Sequence, residues 1–270
     1  MRARKSLLIV IPAYNEEKNI GAFLEKLRQS ELADRADLLV VDDASTDRTA
    51  AIAREYGCSV VTNIYNLGYG SGLQIGYKYA RKRDYEFVIQ MDADGQHDAC
   101  NVERLYRKLL EKDREGRRPD IVLGSRFLKG SATYRVSLAK RIAYVPFRLL
   151  IRWGTGRRIM DPTTGLQGLS RRAFSYYAGY NHFDDRYPDA NMLMQMLLLG
   201  FRVEEIPAVM HSRVEGVSMH SGLRPVVYMF RMAFSLAAVW VRIRLFHIDM
   251  GIVEEAPVRN AGGEDETSVF

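Results

Sequence analysis

The feature that most constrains this chain is the alternation in its first half between strand-sized apolar runs and longer amphipathic segments. Leu7–Ile11, Leu38–Val41, Ser59–Thr62, Phe87–Met91 and Ile121–Leu123 are short and rich in aliphatic and β-branched residues, and apolar residues recur at helical spacing over 16–30, 47–57, 71–83 and 99–113. That order specifies a mainly parallel sheet with right-handed crossovers and helices covering its faces. Sheets of this kind bind ligands beyond the carboxyl ends of their strands. The residues that directly follow strands 1, 2 and 4 are therefore the first to inspect.

All three places carry unusual polar residues. Strand 1 runs into Pro12-Ala13-Tyr14-Asn15-Glu16, an aromatic ring able to stack on a base and polar groups at a helix entry. Strand 2 is followed by Asp42-Asp43-Ala44-Ser45-Thr46-Asp47. Asp47 reads as a cap of the next helix. Asp42 and Asp43 repel each other and need donors, such as a base N–H or ribose hydroxyls. After strand 4, Asp92-Ala93-Asp94-Gly95-Gln96-His97 puts two carboxylates one residue apart beside a glycine that permits a turn. Such a pair suits one hard divalent cation, Mg2+ or Mn2+, that keeps open positions for a substrate diphosphate. Neither GxGxxG after the first strand nor a P-loop occurs, and Gly68-Tyr69-Gly70-Ser71-Gly72 reads as a turn.

The second half is of a different character. Nine basic residues face a single acid, Asp161, between Arg135 and Arg172, with aromatic and aliphatic residues interleaved. An α/β pattern resumes with a helix over Asp189–Leu199 and a strand over Arg202–Ile206, followed by a long helix over Val226–Phe246 and a disordered tail. These divide the chain into a first domain over 1–215 with a basic amphipathic insertion at 135–160, an interfacial or packing helix within 216–250, and a tail over 251–270. Cys58 and Cys100 form neither a disulfide framework nor a zinc motif, so reduced thiols are expected. No run approaches the ~20 apolar residues of a spanning helix. The formal net charge of +6 suits phosphate-bearing ligands or an anionic surface. Confinement of the basic residues to aliphatic-rich segments argues against nucleic-acid binding.

Taken in order, Ile11-Pro12-Ala13-Tyr14-Asn15-Glu16, Val41-Asp42-Asp43-Ala44-Ser45-Thr46-Asp47, Asn66-Leu67-Gly68, Asp92-Ala93-Asp94-Gly95-Gln96-His97, Gly124-Ser125-Arg126 and Asp161-Pro162-Thr163-Thr164-Gly165 resemble glycosyltransferase family 2. The branch is that of dolichol-phosphate mannose synthases and bacterial polyprenyl-phosphate glycosyltransferases. The resemblance implies a GT-A fold, an α/β Rossmann-like architecture, with a nucleotide-sugar donor, a divalent metal and inversion at the anomeric carbon. It would place Pro12, Ala13, Tyr14, Glu16, Asp42, Asp43 and Asp92 at the nucleotide, and Asp92, Asp94 and Gln96 at the metal and diphosphate. Arg126 would approach the diphosphate or an acceptor phosphate, and Arg213 joins it as a candidate at the acceptor. Asp98 stands where the branch usually has proline.

Asp94, Arg126 and Asp189 are the catalytic candidates, Asp189 being readable equally as a helix cap or a general base. A saccharide hydroxyl acceptor needs a base, whereas a phosphate monoester is already anionic at neutral pH. A polyprenyl phosphate acceptor is favoured over a saccharide, and both over a non-catalytic nucleotide-sugar-binding module. Arg224, Arg231 and Arg242 share one side of the last helix, leaving Val227, Phe230, Met232, Phe234, Leu236, Val239 and Trp240 as an apolar surface. Arg141, Arg148 and Arg152 repeat the pattern beside Pro146. The protein is thus expected on an anionic membrane surface, peripheral on the cytoplasmic face.

Overall fold

A computed structural model of the chain describes residues 6–30, 32, 34–132, 143–211 and 224–249. Arg213, the part of the basic insertion before residue 143, and the tail over 251–270 lie outside the described residues. Seven strands form one sheet: β1 (Leu7–Ala13), β2 (Ala36–Asp42), β3 (Ser59–Thr62), β4 (Phe87–Gln90), β5 (Ile121–Ser125), β6 (Gln167–Ser170) and β7 (Val203–Pro207), in the order β3-β2-β1-β4-β6-β5-β7. β1 pairs in parallel with β2 and β4, β2 with β3, and β5 with β7, as the alternating pattern requires.

The exception is β6, antiparallel to both β4 and β5 and wedged between them. The sequence pattern does not announce this strand, because Gln-Gly-Leu-Ser has neither β-branched residues nor an apolar run. Its extended conformation comes from hydrogen-bonded neighbours on both sides. Gly168 lets α4 (Cys100–Leu110) close over it: an added Cβ would lie 3.0 Å from Leu109 Cδ1.

Helices α1 (Glu17–Arg28), α2 (Thr49–Glu55) and α4 cover one face of the sheet. The other face carries α3 (Tyr69–Lys82), α5 (Val145–Thr155), α6 (Arg171–Tyr177), α7 (Ala190–Leu198) and α8 (Arg224–Arg244). β1 is buried on both sides: Leu7, Ile9 and Ile11 enter the first layer, Leu8 and Val10 the second. This explains why it reads as an unbroken apolar run rather than an alternating one. Pro146 does not prevent α5, because it falls in the first turn, where its missing N–H has no partner to lose.

Gly68 to Gly72 is not a turn, contrary to the sequence reading. Tyr69 opens α3, and the glycines let that helix approach its neighbours. A Cβ on Gly70 would fall 2.2 Å from the Asp184 carbonyl oxygen. Met232 and Leu236, expected on an exposed surface, instead enter the core with Ile243, packing α8 against α5 and α7.

Gly76, on the buried side of α3, faces Val10 of β1 so closely that a Cβ would lie 2.3 Å from Val10 Cγ1. Alanine there gains about 1 kcal/mol of helix propensity, but overlap with a buried β-branched side chain costs about 1–3 kcal/mol. We expect Gly76→Ala to lower the urea-unfolding free energy. A more stable variant would show that α3 and β1 are not so tightly apposed.

Candidate active site

The carboxyl edge of the sheet gathers the residues picked out from sequence. Pro12 and Ala13 end β1, paired with Val41 and Asp42 of β2. Tyr14 follows with its side chain exposed. Glu16 precedes α1, its carboxylate accepting from Asn19 Nδ2 at 2.7 Å and its backbone N–H donating to Thr49 Oγ1. Arg48, not Asp47, is the N-cap of α2; Asp47 stands one residue before it and accepts from the backbone N–H of Thr49 at 2.9 Å.

Asp42 and Asp43 are both buried. The donors expected from a ligand are supplied to Asp43 by the protein: Asn63 Nδ2 at 2.7 Å and the backbone N–H groups of Leu67 and Gly68, each at 2.8 Å. Asp43 thus ties the segment between β3 and α3 to the end of β2. Two backbone amides plus a side-chain amide satisfy a buried carboxylate without a counter-ion.

Beyond β4, the Asp92 carboxylate accepts from the Tyr69 hydroxyl at 2.8 Å, and its backbone N–H donates to His97 Nδ1 at 3.1 Å. Asp94 is buried, with Oδ1 accepting from the Gln96 N–H at 3.0 Å. Asp98 fixes the following turn by accepting from His211 Nε2 and the Cys100 N–H. Burial opposes ionisation of Asp98, but these hydrogen bonds prevail and bring its pKa down to about 2.

The reversal of β6 gives the edge its second half. In a parallel sheet only segments leaving strands reach the carboxyl edge. An antiparallel strand brings its entering segment there, so residues 161–166 arrive beside the exits of β4 and β5. Gly165 lies against Asp92, where an added Cβ would be 2.8 Å from Oδ2 and 3.2 Å from the Tyr69 hydroxyl. The Gly165 carbonyl accepts from Gln90 Nε2 at 2.8 Å, and Thr164 Oγ1 donates to the Gly124 carbonyl at 2.7 Å.

Arg126 does not extend freely toward a phosphate. Its Nε and Nη2 donate to both oxygens of the wholly buried Asp161 at 2.8 and 2.7 Å, and Nη2 also reaches Thr163 Oγ1 at 3.0 Å. The pair binds the end of β5 to the segment entering β6. Arg126 still sits within electrostatic reach of Asp189.

Asp189 precedes α7, but its side chain makes no capping hydrogen bond, which answers one of the two roles left open for it. The carboxylate accepts instead from the Tyr228 hydroxyl of α8 at 2.6 Å. The residue keeps some accessible surface, yet the protein around its carboxyl pushes the pKa up to about 6. Tyr228 and Arg126 work against that rise; Asp92 and Asp184 add to it.

Sequence reasoning brought Asp92, Arg126 and Asp189 to one place. It missed Tyr69 and Tyr228, whose hydroxyls hold two of the carboxylates. No local signal marks either, since each reaches its partner only through helix packing. Arg213 lies outside the described residues.

Asp92 and Asp94 offer carboxylate oxygens, the donor type that a hard divalent cation takes, while among the described residues no group of three His, Cys, Asp or Glu side chains could hold a metal ion. Such a pair matches a cation that completes its shell with phosphate oxygens and water. Gly165 keeps clear the space that a side chain would take from Asp92.

An uncharacterized protein of Methanocaldococcus jannaschii is 31% identical over 209 residues, 76% of this chain and 81% of that protein. The polyprenol monophosphomannose synthase of Mycolicibacterium smegmatis is 26% identical over 246 residues, 86% of this chain and 88% of that protein. Among solved structures, a mannosyltransferase from Pyrobaculum calidifontis in complex with GDP-Man and Mn2+ superposes with a TM-score of 0.60 at 17% identity, covering 93% of this chain and 72% of that one. It shares the GT-A-like fold. The model of glycosyl transferase family 2 matches residues 8–177, which takes in every motif from the end of β1 to Gly165. The chain belongs to glycosyl transferase family 2 and is a glycosyltransferase.

Proposed function

We propose that this enzyme moves a sugar from a nucleotide-sugar donor to a polyprenyl phosphate, with inversion, while resting on the membrane that holds the acceptor. One observation carries the reading. Asp92 and Arg126, far apart in sequence, both lie within electrostatic reach of Asp189 at one end of the sheet, beside a helix entry suited to a base. Likeness to a polyprenol monophosphomannose synthase over most of both chains supports the lipid-phosphate acceptor.

In this reading Pro12, Ala13, Tyr14 and Glu16 line the nucleotide pocket, and Asp42 and Asp43 fix its wall. Asp92, Asp94 and Gln96 hold Mg2+ or Mn2+, which when bound supplies positive charge to the leaving diphosphate. An acceptor phosphate oxygen forms the new bond to the anomeric carbon. The bond from that carbon to the donor diphosphate breaks, and its electron pair leaves with the nucleoside diphosphate. Arg126, immobilised by Asp161, contributes a fixed guanidinium–carboxylate dipole that needs no reorganisation. Asp189 need not remove a proton, because the phosphate already carries the nucleophilic charge. Its carboxylate faces Tyr228 at the acceptor end of the cleft.

Removal of the cation with EDTA should abolish transfer, and Mn2+ or Mg2+ should restore it. Asp94→Ala should lower turnover by about 10²–10³-fold, the scale of losing a principal electrostatic stabiliser. Transfer that survives both treatments refutes the metal assignment.

Asp189→Asn should leave substantial turnover on polyprenyl phosphate, whereas loss of a general base for a saccharide acceptor would cost about 10²–10⁴-fold. Rates on both acceptor types distinguish them. The same variant has a stability signature. A pKa raised to about 6 means that the folded state disfavours the carboxylate, so Asp189 costs stability above pH 6. That cost fades as pH falls below 6 and is gone near pH 3, where folded and unfolded chains are both protonated. Asp189→Asn should therefore be more stable than the parent at pH 7.5, by at most about 3 kcal/mol, and equal to it near pH 3. Thermal unfolding at the two pH values reads the difference.

A further inference from the structure

We infer that the outer sides of α5 and α8 together form the seat for an anionic lipid bilayer. This rests on the lipid-phosphate reading of the acceptor but is tested apart from it.

Each helix has two apolar sides, and the core uses only one. α8 buries Met232, Leu236 and Ile243, while Val227, Phe230 and Phe234 project from the opposite side, the two phenylalanines 75% and 78% exposed. On α5, Phe147 and Ile151 are buried, while Val145, Leu149 and Trp153 form an exposed row four residues apart, Trp153 being 71% exposed. The two helices pack directly on one another, and their buried residues enter the same core cluster. Trp153 and Trp240, with ring centroids 5.0 Å apart, and Phe147 with Tyr228 at 6.3 Å, close the seam between the helices. Among the described residues nothing covers this face. It is too large in aromatic content to be incidental surface.

The charge around it selects the occupant. Residues 143–160 and 224–248 contain no Asp or Glu, while Arg152, Arg157, Arg158, Arg231 and Arg244 are exposed on these segments. Asp249, directly after this run, is paired with Arg242, so the exposed charge that the described residues of these two helices present is positive and matches anionic headgroups above acyl chains, where each basic residue near the surface adds to binding. No described helix is long and apolar enough to cross a bilayer, so the helices lie along the surface. Position fits as well. Tyr228, one residue from Val227 on α8, is the donor to Asp189, so a bilayer seated here meets the acceptor end of the cleft.

The chain's only two tryptophans, Trp153 and Trp240, sit at this face and serve as built-in reporters. The full chain is mixed with vesicles of phosphatidylglycerol and phosphatidylethanolamine, or of phosphatidylcholine alone, containing no polyprenyl phosphate. We expect flotation with the anionic vesicles, a blue shift of tryptophan emission, and quenching by lipids brominated on the acyl chain. The double variant Phe230→Asp, Phe234→Asp, with unchanged circular dichroism, should bind at least tenfold more weakly. It should also lose activity on vesicle-borne acceptor while keeping that on a short, water-soluble polyprenyl phosphate. Equal binding by parent and variant, or no acyl-chain quenching, overturns the seat. So does a stable dimer that the double variant dissociates, since a second copy would then occupy the face. A protein that binds vesicles as described but transfers no sugar to polyprenyl phosphate keeps the seat and refutes the acceptor instead.

Discussion

The active edge depends first on the ion pair between Arg126 and Asp161. Asp161 is fully buried, and a carboxylate there is tolerable only because Arg126 meets it with two side-chain nitrogens and its own backbone N–H. Removing either partner would leave a buried charge uncompensated, a loss of about 3–5 kcal/mol in comparable sites. The backbone is anchored in turn: Glu205 of β7 accepts from the N–H groups of Met160 and Asp161, and burial raises its own pKa. A chain of contacts therefore runs from β7 through Asp161 to Arg126 and on to Gly165 under Asp92.

The same logic recurs with neutral donors. Tyr69 holds Asp92, Tyr228 holds Asp189, and backbone amides hold Asp43. Burial and the neighbouring carboxylates raise the pKa of Tyr69 well above its usual value, and burial with Asp189 does the same for Tyr228, so both hydroxyls remain donors through the neutral range. Each tyrosine belongs to a helix of the outer layer. The geometry of the cleft is thus tied to how α3 and α8 pack, rather than to the strand ends alone.

How much of this was legible follows from range. Five strands and four helices of the first half can be read from local periodicity, because each buries a continuous face against a regular sheet. The carboxylates after β2 and β4 were visible because their position after a strand is a topological fact. β6 was not, since its pairing, and not its composition, makes Gln167–Ser170 extended. The clamping of Arg126 was equally hidden: both motifs were plain, but nothing local says that they face each other. α8 was half legible, because its apolar residues surround the helix and sequence does not say which side the core will take. The structure puts Met232 and Leu236 inside and leaves Phe230 and Phe234 outside.

The wedged position of β6 has a bearing on how the molecule assembles. β5 is made before β6 on the ribosome, yet the two cannot share a sheet with β4 in native order until Gln167–Ser170 has entered between them. Until then the edges of β4 and β5 present unpaired backbone groups to each other, and their direct union would be a well-bonded but wrong sheet. Contacts of such long sequence separation form slowly. The segment that resolves this competition also delivers Gly165 and Asp161, so chains trapped with the wrong pairing lack the completed edge and the catalytically competent population reports on correct strand insertion.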